Sequence, residues 1–340
     1  MMISFRNDYS EVAHPAILKK LMEHAYTQNS GYGLDDHSAA AAKSICRLMG
    51  KELPIHFIPG GTQTNLLVIA ACLRPYECVL TVDTGHINVH ETGAIEGTGH
   101  KVVTCPHADG KLTPQGIRAM FGAHESEHMV KPRMVYLSDS TELGTVYTKA
   151  ELIAIRKVCD ELGLLLFLDG ARLGSALCAA ANDLTLADLA ELCDVFYIGG
   201  TKNGALLGEA LVIANPALNA DFRYMIKNRG AMLAKGFVTG LEFEALFEGD
   251  SPLYFELASH ANRQAEKIAA ALADKGYEFY AAPMGSNQLF PIVSGEKLAE
   301  LEQYFAFNIE KPLADGRFAI RFVTSWATTD EMVEQLILKL

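Results

Sequence analysis

The feature that most constrains this chain is a regular alternation of short, continuously apolar runs with segments of helical periodicity. Strands that are apolar throughout, rather than at every second residue, are typical of a mostly parallel sheet covered by helices on both faces. The predicted strands are 55–58, 78–82, 101–105, 133–137, 164–168, 195–198 and 210–214, and the predicted helices among them are 15–24, 38–49, 62–72, 113–121 and 149–162. The pattern therefore predicts an α/β doubly wound domain.

The pattern changes near residue 240. A long predicted helix at 252–275 is followed by short predicted strands at 277–281, 288–292 and 318–323, and by a last predicted helix at 329–340. This order of elements is typical of a smaller α+β unit. We therefore expect a large α/β domain over residues 1–240 and a small α+β domain over residues 241–340.

Charge and composition exclude several classes of partner. Lys and Arg number 29 against 41 Asp and Glu, and no segment concentrates the basic residues, so nucleic acid and anionic membranes are not expected partners. The longest apolar runs are far shorter than the about 18 residues needed to cross a bilayer. The amino terminus lacks the apolar segment of a signal peptide, and the seven cysteines are scattered without a Cys-x-x-Cys pair. We expect a cytoplasmic protein with reduced thiols and no metal site.

Polar residues follow several of the predicted strands, at the edge where parallel sheets bind ligands. The segment GGTQTN at 60–65 joins a strand to a helix, and free backbone N–H groups there suit an anion such as phosphate. The alternative is an ordinary glycine turn in which Thr62 caps the helix. Asp169 and Arg172, in the segment DGAR, directly follow the predicted strand at 164–168, and the alternative for them is a salt bridge at a helix start.

A lysine and a histidine stand at two further strand ends. Lys202 lies within GGTKNG, where burial beside an apolar sheet would lower the pKa of the amine and free it for imine chemistry, although most lysines are solvated. His86, with Glu91 shortly after it, is placed to stack on a planar ligand or transfer protons, or else is an ordinary loop histidine. A phosphate cradle, a carboxylate and a lysine on one sheet are the groups that pyridoxal phosphate requires.

At these residues the sequence resembles the low-specificity L-threonine aldolases, within the β-eliminating lyase group of fold type I pyridoxal-phosphate enzymes. The similarity extends over nearly the whole chain. The matching segments are FRNDYS at 5–10, YG at 32–33, PGGTQTN at 59–65, TGHINVHETGA at 84–94, TELGTVY at 141–147, LDGARL at 168–173, GGTKNG at 199–204 and IRFVTSW at 320–326. The pair LDGARL and GGTKNG is specific for this group, whereas the glycine turn and the Tyr-Gly pair are not.

The resemblance implies how the cofactor is held. Lys202 is expected to bind the aldehyde, Asp169 is expected to pair with the pyridine nitrogen, and His86 is expected to stack on the ring. The phosphate is expected at three residues of the glycine-rich turn, which are Gly61, Thr62 and Gln63.

The resemblance also implies how the substrate is held. Arg172 and Arg321 are expected to clamp the substrate carboxylate, which agrees with the bidentate geometry that arginine offers to a planar anion. Tyr32 and Lys235 are expected to reach the site of a neighbouring subunit, because these enzymes are similar in sharing active sites within a homodimer or homotetramer.

Two departures from the family pattern leave the general base open. Many relatives have Thr-His where this chain has Thr141-Glu142, and Ser-Asp-Thr where it has Arg6-Asn7-Asp8. The candidates for the group that accepts the β-hydroxyl proton are therefore His86, Glu91 and Glu142, directly or through water.

The sequence thus predicts an aldolase that cleaves L-threonine or L-allo-threonine, both β-hydroxy-α-amino acids, to glycine and acetaldehyde by retro-aldol cleavage. Within the same cofactor class, the alternatives are a phenylserine-type aldolase and a β-eliminating lyase. From a different class, the alternative is a non-catalytic ligand-binding protein on the same fold. The combination of Lys202, Asp169 and two arginines disfavours that last alternative, because a scaffold needs no buried lysine.

Overall fold

A seven-stranded sheet organises the larger part of the chain in the computed structural model, which describes residues 2–107 and 109–340. Its edge and central strands come from the first 213 residues. Among the described residues the strands are β1 (Ile3–Ser4), β2 (Ile55–Ile58), β3 (Glu77–Val82), β4 (Lys101–Cys105), β5 (Lys131–Ser138), β6 (Leu165–Asp169), β7 (Val195–Gly199), β8 (Glu209–Ile213), β9 (Phe279–Ala281), β10 (Gln288–Val293), β11 (Phe305–Ala306), β12 (Asn308–Pro312) and β13 (Phe318–Val323).

Helices cover both faces of this sheet and connect its strands. Over the same described residues they are α1 (Pro15–Glu23), α2 (Asp36–Met49), α3 (Gly61–Cys72), α4 (His86–Val89), α5 (Pro114–Gly122), α6 (Lys149–Leu162), α7 (Leu173–Leu177), α8 (Leu186–Leu192), α9 (Phe222–Asn228), α10 (Phe237–Phe247), α11 (Leu253–Asp274), α12 (Gly295–Leu301) and α13 (Asp330–Lys339). None of the helices in the described parts of the chain has the length and apolar character that a membrane span requires.

The strand order of the sheet is β2-β8-β7-β6-β5-β3-β4. All neighbours from β7 to β4 are parallel, and only β8 runs antiparallel to the strands on either side of it. Every residue of β3, β6, β7 and β8 is buried, which explains why these strands are apolar without alternation. The predicted α/β fold with a mostly parallel sheet is confirmed.

Each face of the sheet carries its own core. Along β6, Leu166 and Leu168 belong to one core cluster, whereas Phe167 between them belongs to the cluster on the other face. The side chains of a strand alternate between faces, so a strand covered on both sides must be apolar at successive positions. The carboxyl ends of β5, β6 and β7 therefore come side by side between two layers of helices.

A second, four-stranded antiparallel sheet of order β12-β13-β10-β9 lies in the carboxy-terminal part. It has its own core, which includes Phe5 near the amino terminus, because β1 pairs with β11. Helix α11 contributes Leu257 to the core of the large sheet and Ile268 to the core of the small one. We propose that the boundary between the two expected domains lies within α11, and that the first residues of the chain pack with the small domain.

Candidate active site

A cavity of about 520 Å³ opens at the carboxyl ends of the parallel strands, a size that suits a small-molecule site. Eight of the residues singled out in the sequence line it together: Gly61, Thr62, His86, Glu142, Asp169, Arg172, Lys202 and Arg321. They come from segments that are far apart in the chain, and the sheet brings them to one edge. The lining also includes Tyr197, Thr201 and Glu209, which the sequence had not indicated.

The glycine-rich turn forms the start of α3. Gly60 is the residue before the first turn, and no side chain caps the helix there. The alternative in which Thr62 serves as the cap is therefore wrong, and the first N–H groups of a twelve-residue helix remain available at the cavity. A helix start with uncapped N–H groups attracts anions. Residues 60–62 are called the cradle below.

Asp169, the last residue of β6, receives four hydrogen bonds. Oδ1 accepts from the hydroxyl of Tyr197 at 2.5 Å and from the backbone N–H of Ala171 at 3.0 Å. Oδ2 accepts from the hydroxyl of Tyr136 at 2.5 Å and from Nδ2 of Asn65 at 3.0 Å. Burial acts to raise the pKa of this carboxyl, but His86 and the hydrogen bonds outweigh burial and hold the pKa below its ordinary value. The group is therefore held as a carboxylate.

His86 is connected to Asp169 through two buried side chains. Its Nδ1 lies 2.8 Å from Oε1 of Glu91, and the same oxygen accepts from Nδ2 of Asn65 at 2.7 Å. Because Asn65 also donates to Asp169, one amide group connects the two carboxylates. The side chain of Glu91 is fully buried, so it lies behind the histidine and fixes the orientation of the ring.

Glu142 lies on the cavity wall beside His86. Its Oε1 accepts from the backbone N–H of His86 at 2.9 Å and from the hydroxyl of Ser138 at 2.7 Å. Burial raises the pKa of this carboxyl above its ordinary value, and the nearby charge of Asp169 acts in the same direction. The raised pKa lies closer to neutral pH, and general acid–base catalysis is most effective when the pKa of the group is near the working pH.

Lys202 follows β7 and points into the same cavity. Burial, followed by the positive charge of Arg172, lowers the pKa of its amine, whereas Asp8, Asp169 and Glu209 partly oppose that shift. Among the described residues no carboxylate comes within ion-pair distance of this amine. The amine is thus available to react.

The two arginines of the site differ in their partners. Arg172 donates to both carboxylate oxygens of Asp8, at 2.7 and 3.0 Å, and is therefore already neutralised. Arg321 has a buried Nε without a hydrogen-bond partner among the described residues. Burial and the neighbouring charge of Arg172 lower the pKa of Arg321. An unpaired guanidinium in a cavity is a site for an anion.

Four of the expected site residues lie outside the lining of this cavity: Glu91, which lies behind His86, and Gln63, Tyr32 and Lys235. The side chain of Gln63 donates to the carbonyl of Arg229 at 3.2 Å, so it is committed elsewhere and only its backbone is left for a phosphate. Tyr32 lines a separate cavity, with its side chain stacked near the amine of Lys227. Lys235 is exposed in the loop before α10.

Comparison with known proteins places the chain in a family. A family model described as β-eliminating lyase matches residues 5–303. The low-specificity L-threonine aldolase of Pseudomonas aeruginosa is 34% identical over 313 residues, which cover 90% of this chain and 87% of that protein. The chain belongs to the β-eliminating lyase family.

Solved structures agree with the family. The threonine aldolase of Leishmania major superposes with a TM-score of 0.96 at 49% identity, and the match covers 99% of this chain and 98% of that one. An aspartate aminotransferase of Thermus thermophilus has a TM-score of 0.73 at 14% identity, which supports the fold alone. This family member is a pyridoxal-phosphate-dependent lyase, and the predicted cofactor is confirmed.

The residues present fit that cofactor. The cradle offers uncapped N–H groups for a phosphate, and the unpaired amine of Lys202 suits an aldehyde. Asp169 lines the same cavity and offers anionic oxygens that suit a pyridinium N–H. These residues therefore suit the phosphate, the aldehyde and the pyridine nitrogen of the cofactor.

Several contacts of the site were not expected from the sequence. Tyr136 and Tyr197 lie inside apolar runs, and the presence of one tyrosine near each strand end was the only sequence feature that could have indicated their role. Asp8 belongs to the FRNDYS segment, but its pairing with Arg172 depends on the fold bringing the amino terminus to β6. Asn65 ends the GGTQTN segment and points inward because it follows the cradle by one helical turn.

The Asp8–Arg172 pair generates a prediction about stability. Asp8→Asn leaves the guanidinium buried without a counter-charge, so we expect a loss of about 3 kcal/mol in the free energy of unfolding at pH 7. Burial acts to raise the pKa of Asp8, but Arg172 and Lys202 hold it below the ordinary value. A lowered pKa stabilises the fold above the unfolded value, near 3.9, and this contribution is lost as the pH falls further.

Urea denaturation of the cofactor-free protein at pH 7 and below pH 4 measures this effect. The difference between wild type and Asp8→Asn should shrink at the lower pH. The matched control is Asp315→Asn, which breaks an exposed pair with Arg317 and should change stability little. Equal losses in the two variants at pH 7 would contradict the assignment.

Proposed function

We propose that this enzyme cleaves the Cα–Cβ bond of L-threonine and L-allo-threonine, giving glycine and acetaldehyde. Its substrate is thus an amino acid, as the names of its threonine aldolase relatives indicate for them. The observation that carries the proposal is the meeting of Lys202, Asp169 and the unpaired Arg321 in one cavity. The amine of Lys202 suits the aldehyde of the cofactor, the carboxylate of Asp169 suits its pyridinium, and the guanidinium of Arg321 suits the carboxylate of the substrate.

When bound, pyridoxal phosphate supplies an electron sink for the pair released by bond cleavage. The cradle would hold the phosphate, and Lys202 would hold the aldehyde. Asp169 would keep a proton on the pyridine nitrogen, because its own pKa is held low. His86, oriented by Glu91, would pack against the ring.

The substrate carboxylate binds to Arg321, which has a free Nε. Arg172, held by Asp8, adds positive charge beside it without leaving its partner. A planar carboxylate gripped by a guanidinium has a fixed orientation, and this decides which bond at Cα is perpendicular to the ring. A substrate held in this way would be positioned for Cα–Cβ cleavage.

Glu142 accepts the proton of the β-hydroxyl, directly or through water. It lines the cavity, whereas Glu91 lies behind His86 and uses one oxygen for both the imidazole and Asn65. The raised pKa of Glu142 supports a proton transfer near neutral pH. His86 therefore stacks and Glu142 acts as the base.

The working unit is a homodimer or homotetramer with shared sites. Tyr32 and Leu34 are exposed apolar residues beside a cavity separate from the active site, and Leu233 lies on the same wall. A second copy that covers this surface would bring Tyr32 and Lys235 to its neighbour's cavity.

The seven free cysteines support a location in a reducing compartment, which we propose is the cytoplasm.

The proposal predicts the products of the reaction. Purified enzyme with pyridoxal phosphate should release acetaldehyde and glycine from L-threonine. Lys202→Ala should lose this activity, and borohydride should no longer attach the cofactor covalently to the protein. Lys267→Ala, which removes a surface lysine paired with Asp330, serves as the control. Ammonia and a keto acid from serine would instead identify a β-eliminating lyase, and cleavage of phenylserine alone a different aldolase.

The identity of the base generates a second prediction. Glu142→Gln should reduce single-turnover cleavage of L-threonine by about 10²-fold or more, the usual contribution of a general base. Because the base works ionised, wild-type kcat/KM should fall as the pH drops through the raised pKa of Glu142, and the variant should lose this limb. His86→Phe, which still stacks, should keep substantial activity. Near-normal cleavage by Glu142→Gln with a collapse in His86→Phe would assign the base to the histidine.

A further inference from the structure

Glu209 is a buried carboxyl of the cavity that the reaction described above does not use. It is the first residue of β8 and is only 3% exposed. Its Cα lies opposite Ile58 on one side, the strand end that leads into the cradle, and opposite Gly199 on the other, three residues before Lys202. Glu209 therefore stands between the cradle and the lysine, on the wall of the same cavity.

Both carboxyl oxygens are held by the loop that precedes the lysine. Oε2 accepts from the backbone N–H of Gly200 at 3.0 Å, and Oε1 accepts from the hydroxyl of Thr201 at 3.0 Å. That hydroxyl accepts in turn from the N–H of Gly208 at 3.0 Å. These contacts fix the carboxyl in place but provide no positive charge.

No cation forms an ion pair with Glu209 in residues 2–107 and 109–340. Lys202 attracts the carboxylate and Asp169 repels it. The charge of Glu209 in turn raises the pKa of the hydroxyls of Tyr197 and Tyr254. A phosphate in the cradle adds about two negative charges at pH 7 close to this unpaired carboxyl. Two such anions side by side repel each other, unless one is protonated.

We propose that Glu209 binds the cofactor phosphate as a neutral carboxylic acid, donating its O–H to a phosphate oxygen while it still accepts from Gly200 and Thr201. This inference rests on the phosphate position proposed above. Protonation gives the group one donor and leaves it able to accept, so all three contacts are satisfied at once. Burial already raises the pKa of Glu209 to about 8 in the ligand-free chain.

The proposal predicts that the affinity for pyridoxal phosphate depends on pH. If the bound phosphate raises the pKa of Glu209 further, binding takes up a proton wherever the free carboxyl is ionised. Affinity for pyridoxal phosphate then falls as the pH rises above about 8, by up to roughly tenfold per pH unit relative to an enzyme without this carboxyl. Pyridoxal, which lacks the phosphate, should bind without this dependence.

Equilibrium dialysis of the cofactor-free enzyme with each of the two ligands, between pH 7 and pH 9.5, tests the proposal. Glu209→Gln keeps the shape of the neutral acid and cannot ionise, so the ratio of its affinity to that of wild type should rise with pH for pyridoxal phosphate and stay level for pyridoxal. The control is Glu242→Gln, a buried carboxyl that accepts from the N–H groups of Leu206 and Leu207 in the same loop but does not line the cavity. It should follow wild type at each pH.

A second test uses only the wild-type enzyme and so does not depend on the folding of a variant. Calorimetric titration at pH 9 in two buffers of different ionisation enthalpy counts the protons exchanged on binding. Pyridoxal phosphate and pyridoxal both react at Lys202, so a difference between their proton counts reports on the phosphate. We expect up to about one more proton to be taken up with pyridoxal phosphate than with pyridoxal, because the phosphate itself, with a pKa near 6, is already fully ionised.

Each other outcome overturns the proposal in a distinct way. A level ratio with pyridoxal phosphate, or equal proton counts, would show that Glu209 only supports the loop. A ratio that rises with pyridoxal as well would place the effect at Lys202 rather than at the phosphate. Failure of both ligands to bind would overturn the cofactor site itself, and with it the proposed function.

Discussion

The structure depends above all on the burial of a negative charge at the end of β6. An ionised carboxylate removed from water costs several kcal/mol unless hydrogen bonds replace its hydration. Asp169 meets this requirement with four donors that come from β5, β7, α3 and the turn after β6 itself. The carboxylate thereby fixes the positions of the neighbouring strand ends and of the helix that carries the cradle. The charge that we propose for the pyridine nitrogen is also the point where the elements of the site are joined.

The charges around the cavity explain where ligands bind. Asp8 neutralises Arg172, and Asn65 and Glu91 connect Asp169 to His86. Two cationic groups of the cavity lining have no close partner among the described residues, the amine of Lys202 and Nε of Arg321. The uncapped start of α3 supplies a third positive region. We propose that these three positions receive the aldehyde and phosphate of the cofactor and the carboxylate of an amino-acid substrate.

The sequence predicted the sheet well because its strands are buried on both faces and apolar at every position. The predicted strands at 55–58 and 101–105 and the helix at 149–162 have the bounds that the structure gives. Helix α10 was not predicted, because it is apolar around its whole circumference and shows no helical periodicity. The short strands β1 and β11 were also missed, since two residues carry no pattern and pair only across the length of the chain.

For the site, strand ends identified residues that the fold brings together, but not the partners of those residues. Lys202 and Asp169 could be named because polar groups after apolar strands stand out, whereas Arg321 lies inside a strand and was named from the family resemblance. The commitment of Arg172 to Asp8 and of Gln63 to Arg229 depends on long-range packing that no local pattern encodes. Glu209 was overlooked because a glutamate at the start of a strand is usually solvated, and only the register with β2 and β7 places it in the cavity.

The most direct test of this account is the turnover of Asp169→Asn with pyridoxal phosphate bound. The amide has nearly the shape of the carboxylate but no charge to keep a proton on the pyridine nitrogen. We predict that single-turnover cleavage of L-threonine falls by about 10²-fold or more, as when a preorganised electrostatic partner is removed, while threonine affinity changes far less. Wild-type turnover in the cofactor-loaded variant would contradict the role of Asp169 on which the site depends.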